Sequence, residues 1–147
     1  MSDLGDFTRI SRADSGLCVV TTVRDDATVQ ASVVNAGVID HPGTQKPVVG
    51  IVAAGGSRKL RNLRRRPRTT LVTKAGWEWL AVEGGVELFG PDDPIVGLDG
   101  EALRLLLRAV FVAAGGSHDD WDECDRVMAA ERRTAILVTP ERIYSNS

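Results

Sequence analysis

VVGIVAAGGSRKLRNLRRRPR, residues 48–68, changes character twice in one short stretch. The run VVGIVAA (48–54) is apolar, β-branched and of strand length. Gly55-Gly56-Ser57 interrupts it. RKLRNLRRR then offers only Leu60 and Leu63, at i and i+3, so it reads as a helix of about two turns with a narrow apolar stripe, closed by Pro67. A strand entering a short basic helix through a diglycine is the pattern around which the rest of the chain is organised.

On the N-terminal side, LCVVTTV (17–23), the turn cluster RDDAT and VQASVVN (29–35) form a hairpin. VID (38–40) follows Gly37, and a loop with His41-Pro42-Gly43 and Pro47 leads into the 48–54 strand. On the C-terminal side, TTLVTK (69–74) is a strand, Ala75-Gly76 a turn, and WEWLAVEGGVELFG (77–90) a long strand that Gly84-Gly85 lets bend or bulge. Asp99 caps a helix over 100–114, whose Leu103, Leu106, Leu107, Val110 and Phe111 share one face. Gly115-Gly116 ends it. Ser117 to Asp120 begin another helix, with Trp121, Cys124 and Met128 as its buried edge. RRTAILVTP and ERIYS supply one or two final strands. The sum is five to seven strands and a few helices: an α+β domain on an antiparallel sheet that can close into a small barrel.

The 147 residues, 43% hydrophobic, suit one domain over 1–147, with 1–14 as an N-terminal helix or extension. No apolar run has membrane-spanning length, and the acidic N-terminus lacks the features of a secretory signal. Cys18 and Cys124 match no metal-ligand spacing and fit buried thiols in a cytoplasmic protein. The net charge of -2 hides an asymmetry, because seven of the 18 Lys and Arg side chains fall in residues 58–68 without one acid. The remaining chain is strongly acidic.

That asymmetry gives the helix start its chemistry. Unpaired backbone N–H groups and the positive end of the dipole attract phosphate or carboxylate, Gly55 and Gly56 allow close approach, and Ser57 offers a hydroxyl. Arg58, Lys59 and Arg61 add charge and Asn62 a neutral donor. The spacing is neither GxxxxGK[ST] nor GxGxxG. The alternative is a solvated basic helix with an ordinary serine cap. Trp77 and Trp79, two apart on one strand, share a face and suit bracketing a planar ring, closing a dimer contact, or core packing. Gln30, Ser32 and Asn35 place neutral donors and acceptors beside an apolar wall, as a flavin-like heterocycle requires; a half-exposed strand is the plainer alternative. His41 and His118 lack partners for a triad or a metal site, and the acidic cluster 119–125 suits a helix N-terminus. No aromatic residue accompanies the arginines, so nucleic acid ranks below a small anion.

Four segments then resemble one family in order: VQASVVN, SRKLRNLRRRPRTTLV, GWEWLAVEG and SHDDWDECDRVMAAERRTAILVTPERIY. The chain resembles the split β-barrel proteins related to pyridoxamine-phosphate oxidase, specifically their actinobacterial deazaflavin (coenzyme F-420) dependent branch, over roughly residues 15–145. The most specific block is K-x-R-N-L-x-x-x-P-R, Lys59 to Arg68. Relatives often carry an Arg two places before that Lys, where this chain has Ser57 and moves its Arg to 58. The resemblance implies a six-stranded barrel, a homodimer, and a cofactor groove at the dimer interface. Ser57, Arg58, Lys59 and Asn62 would bind the cofactor's phosphate and tail, while Ser32, Val34 and Asn35 on one strand and Trp77 and Trp79 on another would flank its ring. The implied activity is hydride transfer from reduced F-420 to an enone or quinone-like small molecule, with FMN as the alternative cofactor. A non-catalytic binder of flavin, deazaflavin or heme on the same barrel is the alternative function. No metal and no general acid are assigned.

Overall fold

In a computed structural model, which describes residues 2–147, the chain begins with α1 (Leu4–Ala13). Asp3 and Asp6 close its N-terminus as a reciprocal capping box. Seven strands follow with three more helices: β1 (Leu17–Val23), β2 (Val29–Asn35), β3 (Gly37–Asp40), β4 (Pro47–Ala53), α2 (Arg58–Arg65), β5 (Arg68–Ala75), β6 (Glu78–Phe89), α3 (Gly100–Ala113), α4 (Trp121–Ala130) and β7 (Thr134–Ser145). All strand pairs are antiparallel, in the order β2-β1-β5-β6-β7-β4-β3. The two outermost strands, β2 and β3, are consecutive in the chain and separated only by Ala36. The sheet has one strand more than the six that the resemblance implies: this single extended run is broken at Ala36, its first half pairing with β1 and its second with β4.

Two apolar layers explain why residues 48–54 do not alternate. On one side of β4, Val49, Ile51 and Ala53 join a core closed by Leu4, Phe7 and Ile10 of α1 and by Leu60 and Leu63 of α2. On the other, Val48 packs with Phe89, Ala135 and Leu137 beneath Leu106, Leu107 and Val110 of α3 and Cys124 and Met128 of α4. A strand covered on both faces reads as an unbroken apolar run. Each large side chain removed from water in these layers is worth about 1.5–3 kcal/mol.

The C-terminal residues form one twelve-residue strand. Its register against β6 slips where Glu83 pairs with Arg142 but Gly84 with Pro140, so Glu141 is the extra residue of a bulge. Glu141 accepts from Gly85 N–H (2.7 Å) and Arg68 (2.9 Å). A Cβ on Gly84 would lie 1.8 Å from the Thr139 carbonyl oxygen, so only glycine fits the bend. Trp77 lies in the β5–β6 turn, one residue before β6 begins, and is 93% exposed. The sheet's outer face over β2 and β1 carries no helix, leaving Val19, Val29 and Val33 exposed. Among the described residues, no helix is long and apolar enough to cross a membrane.

Candidate functional site

Ser57 occupies the N-cap position of α2 with extended backbone, yet its hydroxyl makes no capping bond. Its Oγ is buried and has no hydrogen-bond partner. An ordinary cap would have used that oxygen on a first-turn N–H, so the plain serine-cap alternative does not describe this helix. A buried polar atom left unpaired is costly, and such atoms mark places where something else completes the site.

The basic helix divides in two. Arg64 pairs with Asp93 (2.8 Å), Arg65 and Arg66 both with Asp25 (3.1 and 2.9 Å), and Arg68 beyond the helix with Glu141 (2.9 Å). Among the described residues, no carboxylate pairs with Arg58, Lys59 or Arg61, the three cations nearest the helix start. Asn62 directs its amide nitrogen to Thr22 Oγ1 and Gln30 Oε1, both at 3.0 Å, and so fastens α2 to the first hairpin.

The turn between α4 and β7 closes on this junction. The β4–β7 register pairs Ala53 with Thr134, which brings the residues just before Thr134 beside the diglycine. Gly55 N–H donates to the Glu131 carbonyl (3.0 Å). A Cβ on Gly55 would fall 2.7 Å from both Cβ and the carbonyl oxygen of Arg132, so this glycine serves chain packing, whereas a Cβ on Gly56 would meet nothing within 4 Å. Arg132 itself turns left-handed (φ 51°), a conformation that non-glycine residues hold at a cost of about 1–3 kcal/mol. Its side chain pairs with Asp92. Arg133 follows in the same turn: burial, with repulsion from Arg133, lowers the Lys59 pKa below its ordinary 10.5. Arg133 is held by Glu131, at 2.9 and 3.2 Å.

Arg133 also lines a cleft of about 510 Å³, with Val34 and Asn35 from β2, Val52, Phe111 and Met128. A second cleft of about 380 Å³ lies along α4 and shares Met128 and Arg133. Between them α4 is tied to α3 by Asp125, which receives Arg104 (3.1 Å) and Arg108 (2.8 Å), and by Arg108 stacked over Trp121 at 5.2 Å. His118 lines the first cleft, while His41 is structural: its Nδ1 accepts from the N–H groups of Gly43 (2.9 Å) and Thr44 (3.2 Å), and its Nε2 meets Glu87 at 2.8 Å.

Of the residues singled out in the sequence, Ser57, Arg58 and Lys59 gather at the helix start, and Val34 and Asn35 line the cleft. Ser32 does not line the cleft. Trp79 stands on the outer sheet face against Tyr144 (6.1 Å between rings), and neither tryptophan lines the cleft. Arg133 escaped the sequence reading. Its one signal is the pair Arg132-Arg133 directly before the apolar run TAILV, the entry of a strand that a partner of β4 must supply.

No family model matches the chain. Among solved structures, a conserved hypothetical protein of Mycobacterium tuberculosis is similar at 19% identity and a TM-score of 0.70, over 99% of this chain and 84% of that one. A pyridoxamine 5'-phosphate oxidase-related, FMN-binding protein of Nostoc punctiforme is similar at 11% identity and a TM-score of 0.68, over 99% and 86%. A protein described as an F420 reductase is similar at 17% identity and a TM-score of 0.59, over 87% and 88%. At these identities the likeness is one of architecture: the chain has the fold of the pyridoxamine-phosphate-oxidase-like proteins.

Proposed function

We propose that this protein is an oxidoreductase that binds coenzyme F-420 and delivers a hydride to an electron-poor small molecule of the enone or quinone type. The observation that carries the reading is the start of α2: a buried, unpartnered Ser57 hydroxyl and three cations without carboxylate partners. A phosphate fits this donor set. It would accept from Ser57 Oγ and the first-turn N–H groups and be balanced by Lys59 and Arg58. The first cleft, apolar along Val34, Val52, Phe111 and Met128, suits a planar ring system.

When bound, the deazaflavin supplies the hydride chemistry. The chain's own residues bind, orient and exclude water. Lys59 and Arg58 anchor the anionic end, Asn62 keeps α2 on the first hairpin, and the apolar cleft walls hold solvent away from the ring. Arg58 and Arg61 favour F-420 over FMN, since FMN ends at its phosphate whereas the acidic tail of F-420 extends beyond it. Within residues 58–68 of the described chain, Arg64, Arg65, Arg66 and Arg68 are already engaged by carboxylates, which leaves Arg58 and Arg61 to that tail.

The working form in this reading is a homodimer whose two sheets meet over β1 and β2. Val19, Val29 and Val33 are 36%, 58% and 65% exposed, an apolar row that no helix covers. Trp79 lies on the same outer side of the sheet, so any ring contact by this residue is made across the dimer. The experiment is parallel fluorescence titration with F-420 and FMN. F-420 is expected to bind more tightly, and Arg58→Ala with Arg61→Ala to weaken F-420 by more than it weakens FMN, which shares only the phosphate contact of Arg58. Absence of F-420 binding defeats the reading. Sedimentation of Val33→Asp tests the dimer, with a monomer expected.

A further inference from the structure

We infer that the Arg133–Glu131 ion pair is a latch on the anion site: Arg133 is a second cationic anchor for the ligand's phosphate, and Glu131 occupies it until the ligand arrives. This inference rests on the anion-binding reading of the α2 start and adds to it a residue from the far end of the chain.

Four observations converge on it. The β4–β7 register and the Gly55 N–H to Glu131 carbonyl bond dock the 131–133 turn onto the residues leading into α2. The charge of Arg133 reaches Lys59, which is itself partly buried and pairs with no carboxylate among the described residues. Placing like charges together beside a positive helix end is unfavourable unless an anion joins them. Arg133 lines the first cleft as well, and it belongs to the turn docked on the residues that lead into α2.

Glu131 is a weak holder. Its side chain is 41% exposed, and it reaches Arg133 from only two residues away along a turn. A partly exposed ion pair of this kind contributes little. A dianionic phosphate offers the Arg133 guanidinium a stronger bidentate partner. Binding therefore exchanges one ion pair for another: the guanidinium leaves Glu131 for the phosphate, and Glu131 turns to water.

The test compares F-420 affinity by fluorescence titration, and the rise in melting temperature produced by inorganic phosphate, in wild type, Lys59→Ala, Arg133→Gln, Glu131→Gln and the Arg133→Gln/Glu131→Gln double variant. Arg133→Gln is expected to bind F-420 about tenfold or more weakly, as loss of a hydrogen bond to a charged group implies. Glu131→Gln is expected to bind about two- to fivefold more tightly, the scale of a released surface pair, and phosphate should raise its melting temperature further than that of wild type. In the Arg133→Gln background the Glu131 change should have no effect. Wild-type affinity in Arg133→Gln, or equal tightening by Glu131→Gln with and without Arg133, overturns the latch while the anion site stands. Wild-type affinity in Lys59→Ala overturns both.

Discussion

The two halves of α2 carry the same kinds of side chain and do opposite things. Toward its C-terminus Arg64 and Arg65 lie where the helix dipole favours positive charge, and each finds a carboxylate on a neighbouring loop. Toward its N-terminus Arg58, Lys59 and Arg61 sit where the dipole disfavours them, without acids, beside a serine hydroxyl that bonds to nothing. The first arrangement is complete within the chain. The second becomes favourable only when an anion is added. Composition gives the two halves one label, a basic helix, and the difference between them is one of partners.

Several substitutions break or sharpen that contrast. Leu60→Ala should abolish it, because this fully buried residue seats both halves on the core, and its loss should cost about 2–5 kcal/mol of stability in denaturant unfolding. Lys59→Ala should touch only the incomplete half. F-420 affinity should fall by about ten- to hundredfold, or about 1.5–3 kcal/mol, while the melting temperature does not drop.

The same lysine predicts a pH effect. A lowered lysine pKa penalises the folded state while the amine is charged. The penalty is present at neutral pH, shrinks as pH rises through the lowered value, and is gone above the ordinary 10.5. The free protein should therefore gain stability relative to Lys59→Gln in that alkaline window. Anion affinity should fall across the same window. Lys59→Arg, which stays charged beside Arg58, Arg133 and Glu131, should bind with no such decline. Flat affinity through that range in the wild type would remove Lys59 from the site.

Smaller effects complete the set. Arg64→Ala should reverse the pattern of Lys59→Ala, losing about 0.2–1 kcal/mol of stability through its Asp93 pair and leaving F-420 binding intact. Gly56→Ala should change stability by less than about 0.5 kcal/mol, since a Cβ there meets nothing in the chain, but should weaken F-420 binding if the backbone is approached by ligand. Unchanged binding would show that Gly56 is merely a loop residue.

Much of the fold is legible because its signals are local. Asp99 before an i, i+3, i+4, i+7 pattern fixes α3, and its side chain does accept from Ala102 N–H at 2.8 Å. Pro67 ends α2, and Gly84-Gly85 marks the point on β6 that faces the bulge, although the extra residue itself, Glu141, lies on β7. Local signals mislead where a turn borrows a residue of strand character, as at Trp77, and where one extended run changes partners, as at Ala36. The candidate site is legible in part. Ser57, Arg58 and Lys59 stand out by type and spacing, but Asn62 gives no sign that Thr22 and Gln30 occupy its amide nitrogen. Arg133 gives no sign that its charge reaches Lys59.

By its own order of residues the chain determined where strands, caps and turns fall, and that positive charge would crowd one short helix, because backbone sterics, hydrophobic period and charge density act over a few neighbours. Only the tertiary structure decided which of those charges are neutralised and which wait beside a buried hydroxyl. Ion pairing needs side chains within a few ångströms, and such proximity comes from strand register and helix docking between segments far apart in sequence.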